Sequence, residues 1–154
     1  MSQIKDLQVR SKQGAIMFRS NLPWAVISVV TEAGTWPKLA DENRQDVIQM
    51  NFWDVSASKM SWLSKDLMFD EEKANLILDF VEKVWDKIDV LLVHCEMGIS
   101  RSPGIAAAIA YCYHGPYTDR QFFKRYTPNT HVYETILKTY LKRHEESPKT
   151  SKIL

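Results

Sequence analysis

The stretch LLVHCEMGISRSPGIAAAIAY, residues 91–111 of the 154-residue chain, decides how the rest is read. Its opening, with Val90 ahead of it, is apolar on both faces, as a central strand covered by helices is. The strand runs into His94 and Cys95, passes through a short loop holding Gly98, and reaches Arg101 and Ser102 at the head of an alanine-rich segment that is a strong helix former. The unit is strand, loop and helix, with a thiol where the strand stops.

Each residue of that loop has a chemical use. The five positions between Cys95 and Arg101, Gly98 among them, suit a compact turn whose backbone N–H groups point inward and bind an anion. Pro103 fits the first turn of the following helix, whose N-terminus adds free N–H groups and partial positive charge. Arg101 adds a planar fork able to hold two phosphate oxygens. The same field favours the thiolate of Cys95, and a thiolate is a nucleophile. Ser102 is placed to donate a hydrogen bond to the sulfur when it departs as leaving group. His94 serves better as a support for the loop than as a base, because a thiolate already formed needs none.

Taken singly, these residues fit a buried core cysteine and an ordinary turn. Together, the four identities His94, Cys95, Gly98 and Arg101 would arise by chance in a chain of this size with odds on the order of one in a thousand, at ~5% usage per residue type.

Outward from the loop, AVISVV (Ala25 to Val30) reads as a buried strand and VIQMNF (Val47 to Phe52) as another, which delivers the chain to Trp53 and Asp54. Asp70, Glu71 and Glu72 mark a helix N-terminus, and Leu76, Ile77, Phe80, Val81, Val84 and Trp85 follow with helical spacing. GIAAAIAYCY, TDRQFFKRY and HVYETILKTYLKRH supply further helices, separated by His114, Gly115 and Pro116 and by Thr127, Pro128 and Asn129. The alternation predicts a single α/β domain, a mostly parallel four- or five-stranded sheet flanked by helices, over residues 1–145, with a polar tail over 146–154. In such sheets ligands gather beyond the carboxyl ends of the strands, where both Cys95 and Asp54 fall.

The composition, 45% hydrophobic and 25% charged, is that of a chain able to bury a core. Twenty basic residues against nineteen acidic leave a net charge of +1, which provides no global field for nucleic acid or an anionic membrane. No apolar run approaches the ~20 residues of a membrane helix. Two cysteines, Cys95 and Cys112, and no signal-like amino terminus point to a reducing, cytoplasmic setting, and a monomer is the expected state. Cys112 reads as packing on its helix, and His114, His131 and His144 lack metal-ligand spacing, so no metal is expected.

HCEMGISRS resembles the HCxxGxxRS signature of the cysteine-dependent protein tyrosine phosphatases, and the small size is similar to their dual-specificity branch. AVISVV resembles the early core strand of that family, and TPNTHVY a proline-asparagine segment before its last helix. The resemblance implies a phosphocysteine mechanism without cofactor. In it Cys95 is the nucleophile, Arg101 and the loop Glu96, Met97, Gly98, Ile99, Ser100 hold the phosphate, Ser102 supports the leaving thiolate, and His94 and Asn129 support the loop. It also implies an aspartate general acid on an upstream loop. Asp54 is preferred, since its loop follows a strand and opens on the same sheet edge as Cys95. Its separation from Cys95, 95 − 54 = 41 positions, is longer than is usual in the family and implies an insertion around KMSWLSKDLMF. Asp66 has the more usual separation but no strand to aim it, and Asp70 reads as a helix cap. Trp53 and Trp62 are candidate pocket walls.

The expected substrate is a phosphorylated protein carrying phosphotyrosine, with phosphoserine and phosphothreonine as further candidates. The loop carries no lysine and no arginine besides Arg101, which disfavours polyanionic substrates. Two other readings use the same residues: a rhodanese-type sulfurtransferase, which also holds a cysteine in an anion loop, and a phosphate-recognition module without turnover.

Overall fold

The computed structural model describes residues 4–56 and 63–145. Trp62, the Lys59 to Trp62 part of the expected insertion, and the expected tail at 146–154 lie outside the described residues.

Four parallel strands form one sheet: β1 (Asp6–Arg10), β2 (Trp24–Val30), β3 (Arg44–Asn51) and β4 (Val90–His94), in the order β1-β4-β2-β3. The two interior strands, β4 and β2, are buried along their whole length, which is why they read as continuous apolar runs and not as alternating ones. Alternation still sorts their side chains. Ala25, Ile27, Val29, Leu91 and Val93 face one core, while Trp24, Val26, Val90 and Leu92 face the other.

The smaller core is closed by α1 (Lys12–Met17) with Ala15 and Phe18. The larger core is closed by α2 (Glu71–Val84), α3 (Arg101–Ile109), α4 (Arg120–Arg125) and α5 (Thr130–Glu145). All nine residues of α3 are buried, and its small side chains let it lie between the sheet and its helical neighbours. A Cβ at Gly104 would stand 2.8 Å from the Asn129 carbonyl oxygen, so the chain before α5 rests directly on the α3 backbone.

Most of this follows from local signals. Asp70 caps α2 by accepting from the Lys73 N–H at 3.0 Å, as its position before two glutamates implies. The alanine-rich helix ends in a π-turn, Ala110–His114, at the Gly115 and Pro116 stop. The pair β1 and α1 was not anticipated. Leu7 and Val9 alternate with Asp6, Gln8 and Arg10, a strand signal over only five residues, and α1 contains Gly14, a poor helix former. Pairing with β4 and the Ser11 cap, which accepts from the Gly14 N–H at 3.0 Å, supply what local propensity lacks.

Leu92, fully buried on β4, reports on the packing of the sheet against α1. Leu92→Ala is expected to lower the free energy of unfolding by about 2–5 kcal/mol, measured by urea titration, with an unchanged denaturant slope.

Candidate active site

The loop after β4 starts from a buried histidine. His94 is fully enclosed, its Nε2 2.6 Å from Ser28 Oγ on the neighbouring strand and its Nδ1 3.2 Å from the Cys95 carbonyl oxygen. A carbonyl only accepts, so Nδ1 carries the proton and donates, and Nε2 accepts from the Ser28 hydroxyl. Burial pushes the pKa of His94 below its usual 6.5, which keeps the ring neutral. His94 therefore anchors the first peptide of the loop and does not act as a proton carrier.

Beyond Cys95 the loop carbonyls turn outward. Glu96 O accepts from the Lys12 N–H at 3.0 Å, Ile99 O from Thr127 at 3.0 Å, and Ser100 O from Gly104 at 3.0 Å and Asn129 at 2.9 Å. Peptide groups so oriented present N–H groups to the interior. The amides of Gly98 and Ser102 lie 3.3 and 3.5 Å from Cys95 Sγ, and Ser102 Oγ lies 3.1 Å from it. Three donors thus surround a thiol that is 2% exposed.

Gly98 is required twice over. Its φ of +72° is a region that side chains avoid, and a Cβ there would stand 2.6 Å from Ser11 N and 2.7 Å from Arg10 C. The unanticipated β1 and α1 junction is thus the wall against which the loop is formed.

Arg101, 5% exposed, is pinned by Nη1 to the Phe52 carbonyl at 2.6 Å and to Thr31 Oγ1 at 3.1 Å, beyond the carboxyl ends of β3 and β2. Its Nε is buried with no partner among the described residues, an N–H left over for a ligand oxygen. Glu96, an acid in an anion-binding loop, is turned to other work. It accepts from the Thr31 N–H at 3.1 Å and pairs with Lys12 at 3.9 Å. Met97 and Ile99 are exposed, at 70% and 47%, so the rim of the loop is apolar.

Of the three aspartates, Asp54 is the one joined to the loop: its Oδ1 accepts from Ser100 Oγ at 2.8 Å. The same oxygen accepts from Asn129 Nδ2 at 2.7 Å. Asp66 is exposed on a 3₁₀ turn, Lys65–Leu67, and Asp70 caps α2. That turn returns to the Asp54 loop, where the Trp53 N–H donates to Leu67 O at 2.9 Å. Trp53 itself is half-exposed beside Asp54.

The other candidates have separate positions. Cys112 lies eleven residues beyond Arg101, roughly 16 Å along the helix at 1.5 Å per residue, and burial pushes its thiol up to about 12. His114 Nε2 accepts from the Lys5 N–H at 2.9 Å, and His131 Nε2 meets Phe69 O at 2.8 Å. Reading the sequence missed Ser28, Thr31, Lys12 and the Phe52 carbonyl. Ser28 and Thr31 sit in or just after a strand already recognised, but no local pattern says which residue it faces.

No protein-family model matches the chain, and no curated protein sequence matches it. Solved structures do. Human DUSP28 superimposes with a TM-score of 0.62 at 15% identity, covering 92% of this chain and 95% of that one. A mouse putative dual specificity phosphatase complexed with zinc tungstate gives 0.58 at 16% identity, with 88% and 82% covered. The human tyrosine phosphatase-like serine/threonine/tyrosine-interacting protein gives 0.55 at 15%, with 80% and 79% covered. The fold is that of the small dual-specificity phosphatases. In this phosphatase fold the described sheet has four strands, within the four or five expected, and all of them are parallel.

Two outcomes follow from the loop. Gly98→Ala is expected to abolish vanadate binding, followed by isothermal calorimetry, and to cost about 1–3 kcal/mol of stability. His94, whose protonation the folded state disfavours, binds its proton more readily when unfolded. Stability conferred by its burial is complete above pH 6.5 and falls as pH drops below that value. Urea midpoints between pH 5 and 8 should show this decline, and His94→Asn should flatten it.

Proposed function

We propose that the protein is a cysteine-dependent phosphomonoester hydrolase acting on phosphorylated proteins, a protein tyrosine or dual-specificity phosphatase. The observation that carries the reading is the convergence of the Gly98 and Ser102 amides and the Ser102 hydroxyl on Cys95 Sγ, in a loop that ends at a buried guanidinium with a spare N–H.

In the first step the Cys95 sulfur attacks phosphorus, forming an S–P bond as the P–O bond to the leaving group breaks. Loop amides and Arg101 hold the equatorial oxygens, where transition-state charge sits. Asp54 passes its proton to the departing oxygen. In the second step Asp54, now a carboxylate, takes a proton from water as that water attacks phosphorus. The S–P bond breaks, phosphate leaves, and Ser102 Oγ–H supports the returning thiolate. Neither step calls for a metal or an organic cofactor.

The rim supports the substrate class. Met97 and Ile99 are apolar and exposed, and Glu96 is the charged side chain of the stretch between Cys95 and Arg101. A polyanionic phosphoinositide or nucleotide gains no cation there besides Arg101, whereas an uncharged peptide flank meets an apolar surface. The chemistry uses Cys95 as a free thiol, which suits a reducing, cytoplasmic compartment. No helix among the described residues is long and apolar enough to cross a membrane.

A tyrosine phosphatase-like interacting protein shares the fold, so turnover has to be measured. Vanadate-sensitive hydrolysis of an aryl phosphate, abolished by Cys95→Ser, is the expected result. Phosphopeptide binding without hydrolysis would indicate a recognition module, and thiosulfate-to-cyanide sulfur transfer a sulfurtransferase. Asp54→Ala should lower kcat on poor leaving groups by on the order of 10²–10⁴, while Asp66→Ala leaves it unchanged.

A further inference from the structure

Asn129 is 8% exposed, and both ends of its amide are committed. Oδ1 accepts from the Val132 N–H at 3.0 Å and caps α5. Nδ2 donates to Asp54 Oδ1 at 2.7 Å and to the Val55 carbonyl at 3.1 Å. Its backbone N–H donates to Ser100 O at 2.9 Å, and Ser100 Oγ donates in turn to Asp54 Oδ1 at 2.8 Å. Ser100, Asp54 and Asn129 thus close a ring that ties the anion loop, the Asp54 loop and the start of α5 to one another. The seat is tight, since a Cβ at Gly104 would stand 2.8 and 3.3 Å from the carbonyl oxygen and nitrogen of Asn129.

We infer that Asn129, with Ser100, is the positioning residue of the general acid, holding the Asp54 carboxyl so that its transferable proton sits on Oδ2. The inference rests on Asp54 being that acid. A carboxylic acid carries its proton on one oxygen. Oδ1 already accepts from two donors, an N–H and an O–H, so its lone pairs are occupied and protonation goes to Oδ2. Without the amide of Asn129, the carboxyl keeps Ser100 as one donor about which it can pivot, and the Val55 carbonyl loses the Asn129 N–H. The proton is then delivered from a distribution of poses, and a carboxyl misplaced by about 1 Å loses much of its effect.

The two halves of the Asn129 amide do different jobs, so they can be separated by substitution. Asn129→Asp keeps an oxygen to cap α5 and replaces the donor facing Asp54 by an acceptor, while Asn129→Ser keeps a capping residue and withdraws the donor. The readout is the ratio of kcat on an aryl phosphate with a good leaving group to kcat on an alkyl phosphate with a poor one. A good leaving group departs without a proton, so loss of acid positioning raises this ratio. A general weakening of the fold leaves it alone.

Both variants are expected to raise the ratio by about tenfold or more, in the direction of Asp54→Ala. A ratio equal to that of the wild type in both, whether or not kcat falls, overturns the positioning role. Asp54→Ala measured in parallel separates the two claims. If it raises the ratio and the Asn129 variants do not, Asp54 stands as acid and Asn129 is only a cap. If Asp54→Ala leaves the ratio unchanged, or the wild type hydrolyses neither ester, the acid assignment fails and the positioning role fails with it.

Discussion

A buried guanidinium organises the carboxyl edge of this sheet. Arg101 sits almost wholly out of water, where a charged group needs hydrogen-bond partners, and it is held by the Phe52 carbonyl and the Thr31 hydroxyl. Those two contacts fix the chain just past β3 and β2 relative to the first turn of α3. Cys95 follows β4 directly, at the same carboxyl edge of the sheet. Neutral acceptors orient the guanidinium without cancelling its charge, and the buried Nε–H has no partner among the described residues.

Around that centre the loop is shaped from outside. Its carbonyls are drawn away by the amides of Lys12, Thr127 and Asn129, which belong to two segments remote from the loop in sequence. His94 holds the first peptide from beneath, and the Arg10 and Ser11 backbone presses on Gly98. With the carbonyls turned outward, the Gly98 and Ser102 N–H groups face Cys95 Sγ.

Much of the architecture was legible in the chain. The apolar runs of β2 and β4, the Asp70 cap and the alanine-rich helix are local features, and structure followed them to within a residue or two. The first strand and helix were illegible because five alternating residues and a glycine-containing single turn and a half carry little local signal. Their order comes from pairing with β4 and packing under Phe18 and Trp24. Glu96 is the one charged residue between Cys95 and Arg101. It is accounted for once Thr31 and Lys12 are seen beside it.

What the sequence determined alone is the succession of strand, loop and helix around Cys95, because every element of that unit lies within a few residues of the next and carries its own local signal: an apolar run, a glycine and an alanine-rich helix former. It did not decide between Asp54 and Asp66 by any local rule. That Asp54 and not Asp66 meets the loop belongs to the tertiary structure, through hydrogen bonds that join Asp54 to Ser100, 46 positions away, and to Asn129, 75 positions away. Contacts at such separations depend on how strands are ordered and helices stacked, and periodicity along the chain carries no record of them.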